Sequence, residues 1–132
     1  MKFNYIYGKQ AEQYDYLYIP KAFMKEETFK NMTASAKIMY ALLMEKQQKS
    51  VEMGWIDTQD YVYVLVNTAA IGAELNWEES EAVAAIEELE KFGLLEIAEK
   101  DEVMKPIFSL YLNTHLTCDS ITLEQRNSFK TD

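Results

Sequence analysis

The residues best suited to chemistry in this chain are few and poorly placed for catalysis. His115, the only histidine, sits in a polar stretch with no nucleophile spaced to pair with it, so a general base would have nothing to activate. Cys118, the only cysteine, has neither a helix start nor a basic cluster beside it to activate its thiol. Asp57 and Asp60 have the spacing of a turn, and Glu99, Asp101 and Glu102 lack the glycine and ligand spacing of a calcium loop. Four scattered glycines do not make a phosphate-binding loop. The sequence reads as non-enzymatic, with no cofactor and no metal.

What is left is recognition chemistry, and it centres on Leu75 to Val83. An apolar segment (Ala69, Ala70, Ile71, Ala73, Leu75) stops at Asn76, and a second begins near Glu78 and carries Val83, Ile86, Leu89 and Phe92 on one helical face. Gly93 ends that run as a left-handed cap would, and Leu94 to Ile97 alternates like a strand. Two helices joined by a tight turn and followed by a hairpin predict a winged helix-turn-helix, whose second helix lies in the major groove of duplex DNA. The helix positions facing DNA are then Glu79, Ser80, Glu81 and Ala84, helped by Lys91 and by Lys100 and Lys105 of the wing. A reversal such as Glu79→Arg with Ser80→Lys is expected to strengthen that binding.

The charge opposes the architecture. Asn67 to Lys105 holds 11 Asp/Glu against 3 Lys, and the whole chain carries −9. Duplex DNA is a polyanion, bound largely through Lys and Arg that displace its counterions. Three readings of the acidic helix follow: a solvated face (Glu81, Glu87, Glu88, Glu90), a surface for a protein partner or a mimic of DNA charge, or DNA binding by another route. The first fifty residues favour the last, with 8 Lys against 5 Asp/Glu. Lys37, Lys46 and Lys49, with Lys21, Lys25 and Lys30, would reach phosphates if they shared a face. Trp77 is either an exposed partner anchor or a staple packed at the helix start.

These residues need a scaffold, and the chain has material for one. At 132 residues and 48% hydrophobic it suits a single domain with a core. Residues 1–13 read as an N-terminal arm, 14–112 as the winged-helix domain and 113–132 as a polar tail. Tyr14 to Ile19 is strand-like and ends at Pro20, and Tyr14, Tyr16 and Tyr18 are the candidates for contact with a partner. Lys21 to Lys30 reads as a short helix, Ala34 to about Lys49 as the longest one with Ile38, Met39, Leu42 and Leu43 inward, and Tyr61 to Val66 as a buried strand. Ile107 to Leu112 returns from a turn at Lys100 to Glu102. The fold class is α+β, a winged helix-turn-helix with a small antiparallel sheet and a strand-like arm. No apolar run reaches the length of a membrane span, no secretory leader is seen, and the lone cysteine fits a reducing cytoplasm.

Several ordered motifs carry a resemblance. Tyr7 to Tyr14 (YGKQAEQY), Ile19 to Phe23 (IPKAF), Ala36 to Leu43 (AKIMYALL) and Gly54 to Asp57 (GWID) are similar to the N-terminal domain of replication initiator A proteins of Gram-positive plasmids and mobile elements. The resemblance covers about residues 5–112. It implies a winged-helix domain that binds repeated origin DNA, commonly as a homodimer, to start replication. Family members usually read Ser-Arg-Lys-Thr into the second helix, where this chain has Glu78-Glu79-Ser80-Glu81, and Ala84 stands where another Lys is common. The alternative is an interaction module that keeps the fold and dimer surface without reading DNA.

Overall fold

The computed structural model describes residues 2–8, 15–98 and 107–113. Its architecture is a helical layer packed on one face of a small antiparallel sheet. In chain order come α1 (Ala22–Lys25), a 3-10 turn (Glu27–Phe29), α2 (Ala34–Gln48), α3 (Ser50–Met53), β1 (Val64–Asn67), α4 (Thr68–Leu75), α5 (Glu79–Lys91), β2 (Leu95–Ile97) and β3 (Ile107–Leu112).

Local signals start and stop these elements. Thr33 caps α2, its hydroxyl accepting from Ala36 N–H at 3.2 Å, and Asn67 caps α4 by accepting from Ala70 N–H at 3.0 Å. The turn between α4 and α5 is a Schellman closure. Asn76 adopts the left-handed conformation (φ 60°), Asn76 N–H donates to Ala73 O, and Trp77 N–H donates to Gly72 O at 2.8 Å. Asn76 therefore ends α4, and Glu78 is the residue at the cap position of α5. The same closure ends α5, with Gly93 at φ 76° and Leu94 N–H reaching Leu89 O at 3.0 Å.

β3 is the middle strand. It pairs antiparallel with β1 (Val64 opposite Leu110) and with β2 (Leu95 opposite Leu112, Ile97 opposite Leu110). Alternation along the strands turns Val64, Val66, Leu95, Ile97 and Leu110 inward, against Met39 and Leu43 of α2 and Ile86 and Leu89 of α5. Phe23, Phe29 and Tyr40 add an aromatic cluster with edge-to-face rings about 5 Å apart, Phe23 to Phe29 at 5.1 Å and Phe23 to Tyr40 at 5.0 Å.

Three expectations change. Residues 15–20 pair with no strand among the described residues, so the tyrosine-rich segment is not a strand there. The helix expected over Lys21 to Lys30 breaks at Glu26 (ψ 136°), which lets Phe23 and Phe29 both enter the core. Ile38 is only half-buried, because the core face of α2 is centred on Met39, Leu42 and Leu43. The wing turn at 99–106 and the tail from 114 lie outside the described residues, as does Tyr14.

Gly72 is where α4 meets the following turn most closely. A Cβ there would lie 3.2 Å from Trp77 O and 3.6 Å from Glu78 O. Gly72→Val is expected to lower stability by about 1–3 kcal/mol through overpacking, despite the better helix propensity of valine over glycine. Chemical denaturation of the two proteins measures the difference.

Candidate nucleic-acid interface

The second helix of the motif, α5, is seated by one apolar face. Ala82, Ala85, Ile86 and Leu89 are buried against α2 and α4. Ser80, Ala84, Glu87 and Lys91 follow one another at spacings of four, three and four residues, and all are exposed. This outer stripe holds one carboxylate and one ammonium, so its own formal charge is zero.

Three other carboxylates of α5, those of Glu79, Glu81 and Glu88, are turned aside and hydrogen-bonded. Glu88 sits at the start of α2, its oxygens accepting from Thr33 N–H at 2.8 Å and from the Thr33 hydroxyl at 2.7 Å. There the anion meets the unsatisfied donors and the positive end of the α2 dipole. Glu81 accepts from the Ser35 hydroxyl at 3.0 Å, on the same side. Glu79 accepts from the Thr68 hydroxyl at 2.5 Å, joining the first residue of α5 to the first residue of α4. Hydrogen bonding does not remove these charges, but it fixes where they point. Glu87 makes no hydrogen bond or ion pair with any described residue.

The sequence-derived candidates are thus divided. Ser80, Ala84 and Lys91 share the outer stripe. Glu79 and Glu81 lie at its edges, hydrogen-bonded to α4 and α2. Lys100 and Lys105 fall outside the described residues. Lys37 and Lys46 are nine residues apart on α2, which places them on opposite sides of that helix. Lys46 is ion-paired with Glu74 of α4 at 2.8 Å, and Lys30 pairs with Glu27 at 3.5 Å. Lys49 is exposed beyond the end of α2. Lys37 and Lys46 therefore do not share a face, and Lys46 and Lys30 are already ion-paired. Trp77 is half-buried and packs on the core, which is the staple position, whereas Tyr16 and Tyr18 are 55% and 80% exposed.

Glu87 was the residue missed as a member of the outer stripe. Its spacing from Ser80 and Ala84 was the available signal; its position in a run of acids (Glu87, Glu88, Glu90) hid it.

Behind the sheet a second polar anchor ties the bend after α3 to the middle strand. Asp57 accepts from Gln59 N–H at 2.8 Å, Tyr61 N–H at 2.9 Å and the Tyr111 hydroxyl at 2.9 Å. Desolvation pushes its carboxyl up, but the hydrogen bonds from Tyr61, Tyr111 and Gln59 outweigh it and hold the group below its ordinary 3.8. The Asp57 hydrogen bond, then desolvation and the nearby negative charge, raise the Tyr111 hydroxyl above 10.0. A lowered acid stabilises the fold above its unfolded value and ceases to as pH falls through the folded one; a raised phenol does so below its unfolded value and ceases to as pH rises through the folded one. The pair is expected to stabilise the fold between these limits, and Asp57→Asn to flatten the acid side of a stability-against-pH curve. Denaturation midpoints between pH 3 and pH 7 measure this.

Residues 15–125 match the family model described as Replication initiator protein A (RepA) N-terminus. The chain belongs to that family. The initiator domain's fold is also similar to three solved structures, each at 24% identity. One, "N-Terminal domain of DNA binding protein", has a TM-score of 0.68 with 98% of this chain and 95% of that one covered. "Structure of Rep-DNA complex" has a TM-score of 0.67 over 97% and 94%, and "Structure of MDR initiator" 0.67 over 97% of each. No curated protein matches the initiator domain. These likenesses establish the winged helix-turn-helix expected from the sequence. Among the described residues of the initiator domain, no helix is long and apolar enough to cross a membrane.

Proposed function

We propose that this initiator domain is a non-enzymatic, cytoplasmic DNA-binding module that acts in replication or maintenance of a plasmid or mobile element. The observation that carries the reading is the seating of α5: its apolar face is buried, and Ser80, Ala84, Glu87 and Lys91 face outward. A helix held this way enters the major groove with that stripe toward the bases. The zero formal charge of the stripe, on a helix that is acidic as a whole, makes non-specific attraction weak, so selectivity must come from base contacts more than from phosphate contacts. The structure titled for a Rep-DNA complex shares the fold, which supports the reading by analogy.

Fluorescence anisotropy tests it, with random duplex DNA and with the duplex upstream of the coding sequence, at low and moderate salt. Binding that prefers one duplex and weakens with salt is the expected result. No binding even at low salt would retire the reading.

The alternative, an interaction module that does not read DNA, is favoured by one observation. Phe3, Tyr5, Ile6, Tyr7, Tyr16 and Tyr18 are all more than half exposed. An exposed aromatic arm is a usual protein contact, and a homodimer is the occupant both readings share. Removing residues 1–19 should convert dimers to monomers in sedimentation, and a dimer that survives the deletion would sink the assignment of the arm.

A further inference from the structure

We infer that Glu81 and Glu88 are positioning residues for DNA reading, setting the direction in which α5 presents its outer stripe. The inference rests on the reading that the chain binds duplex DNA through α5. Both carboxylates project from the side of α5 that meets the start of α2, about two turns apart. One bonds Ser35 at 3.0 Å; the other bonds Thr33 twice, at 2.8 and 2.7 Å. Two anchors along one edge resist both rotation of α5 about its axis and tilting of its outer end. Rotation by a single position would swing Ser80, Ala84 and Glu87 about 100° around the helix, out of line with the bases.

Thr33 extends the link. Its hydroxyl donates to Glu88 while accepting from Ala36 N–H, so the anchor is continuous with the first turn of α2. The apolar seat decides which side of α5 is turned outward, through buried Ala82, Ala85, Ile86 and Leu89, and the two anchors limit how far the helix turns or tilts on that seat. The acidity that argues against DNA binding in a simple charge count is, on this side of the helix, the device that aims it.

The test separates aim from charge. A duplex selected from a randomised pool by the wild-type chain, and a scrambled duplex of the same length, are titrated with four proteins: wild type, Glu81→Ala/Glu88→Ala, Glu81→Gln/Glu88→Gln and Glu87→Ala. Glu87→Ala removes a charge without removing an in-chain contact, and should tighten binding to both duplexes. Glu81→Ala/Glu88→Ala removes two charges yet should lose roughly tenfold of its preference for the selected duplex, the worth of about one base contact. The glutamine pair keeps one acceptor oxygen per side chain, enough for the Ser35 hydrogen bond and one of the two from Thr33, and should recover part of that preference, which a charge effect would not allow.

Melting curves above the assay temperature show that each variant is folded. If the alanine pair does not fold, Ser35→Ala breaks the Glu81 hydrogen bond from the α2 side and carries the test, with a smaller loss of preference expected. A preference unchanged in the alanine pair, or in Ser35→Ala where that stands in, overturns the inference alone. A wild-type chain that enriches no duplex overturns it together with the DNA-binding reading.

Discussion

Glu87→Lys is expected to raise affinity for duplex DNA by about tenfold at low salt, since a two-unit change of charge beside a phosphate is worth about 1–2 kcal/mol in solvent-exposed surroundings. Glu87 lies in the middle of the exposed stripe and is engaged by no described residue. Its replacement should therefore alter the field at the DNA surface without loosening α5. A new phosphate contact should also steepen the dependence of log affinity on log salt by about 0.9. Anisotropy titrations at several salt concentrations read both quantities. An affinity that does not move would show that α5 faces away from DNA. Glu79→Arg is a less direct probe, because it also removes the hydrogen bond from Thr68 that joins the beginnings of α4 and α5.

Leu89→Ala should produce the largest change in stability, a loss of about 2–5 kcal/mol. Leu89 is fully buried, it lies on the face of α5 turned to the core, and its carbonyl accepts the Leu94 N–H that closes the helix. Truncation leaves a cavity in the core cluster that the surrounding side chains fill only in part. Set against a typical total of about 5–15 kcal/mol, that loss brings the domain close to unfolding. Urea denaturation of the two proteins gives the value; a change below about 1 kcal/mol would show that α5 is not seated as described.

Much of the framework was legible because its signals are local. Gly93 has the freedom of φ that a helix end requires, the polar pairs Thr33 or Ser35 and Asn67 or Thr68 each offer a cap of which the first is used, and the apolar spacing in α5 marks a face whichever neighbour covers it. The strands were legible in type and only roughly in extent: Tyr61 to Val66 was expected where Val64–Asn67 forms, since pairing with β3 decides the ends. The break at Glu26 was not legible, because it follows from two phenylalanines reaching one core from a short segment. Tyr14 to Ile19 has the residues of a strand, but β-propensity expresses the company of a neighbouring strand, and residues 15–20 have none among the described residues.

For the site, composition counted charges and lacked directions. Eleven acids between Asn67 and Lys105 form a sum that treats Glu87 and Glu88 alike. One faces outward and the other grips the start of α2, a difference of one residue and about 100° of helix. That distinction depends on where α2 passes beside α5, which is a long-range contact and leaves no local pattern. The lysines of α2 failed to form a patch for a related reason: a nine-residue interval looks like proximity in sequence and is opposition on a helix.

The middle place of β3 in the sheet bears on how the chain is made. Among the described residues, β1 and β2 each pair only with residues 107–112, so a nascent chain that has emerged as far as Ile97 holds both outer strands before the strand that joins them. Up to that point α2, α4 and α5 can gather around their shared apolar faces, whereas the sheet waits for the last described strand. Once Leu110 arrives opposite Val64 and Ile97, it brings the two outer strands together in one step and covers the underside of the helices. A chain halted before that point leaves the inner apolar face of its helices uncovered, the kind of exposed surface that makes an incomplete fold prone to aggregate.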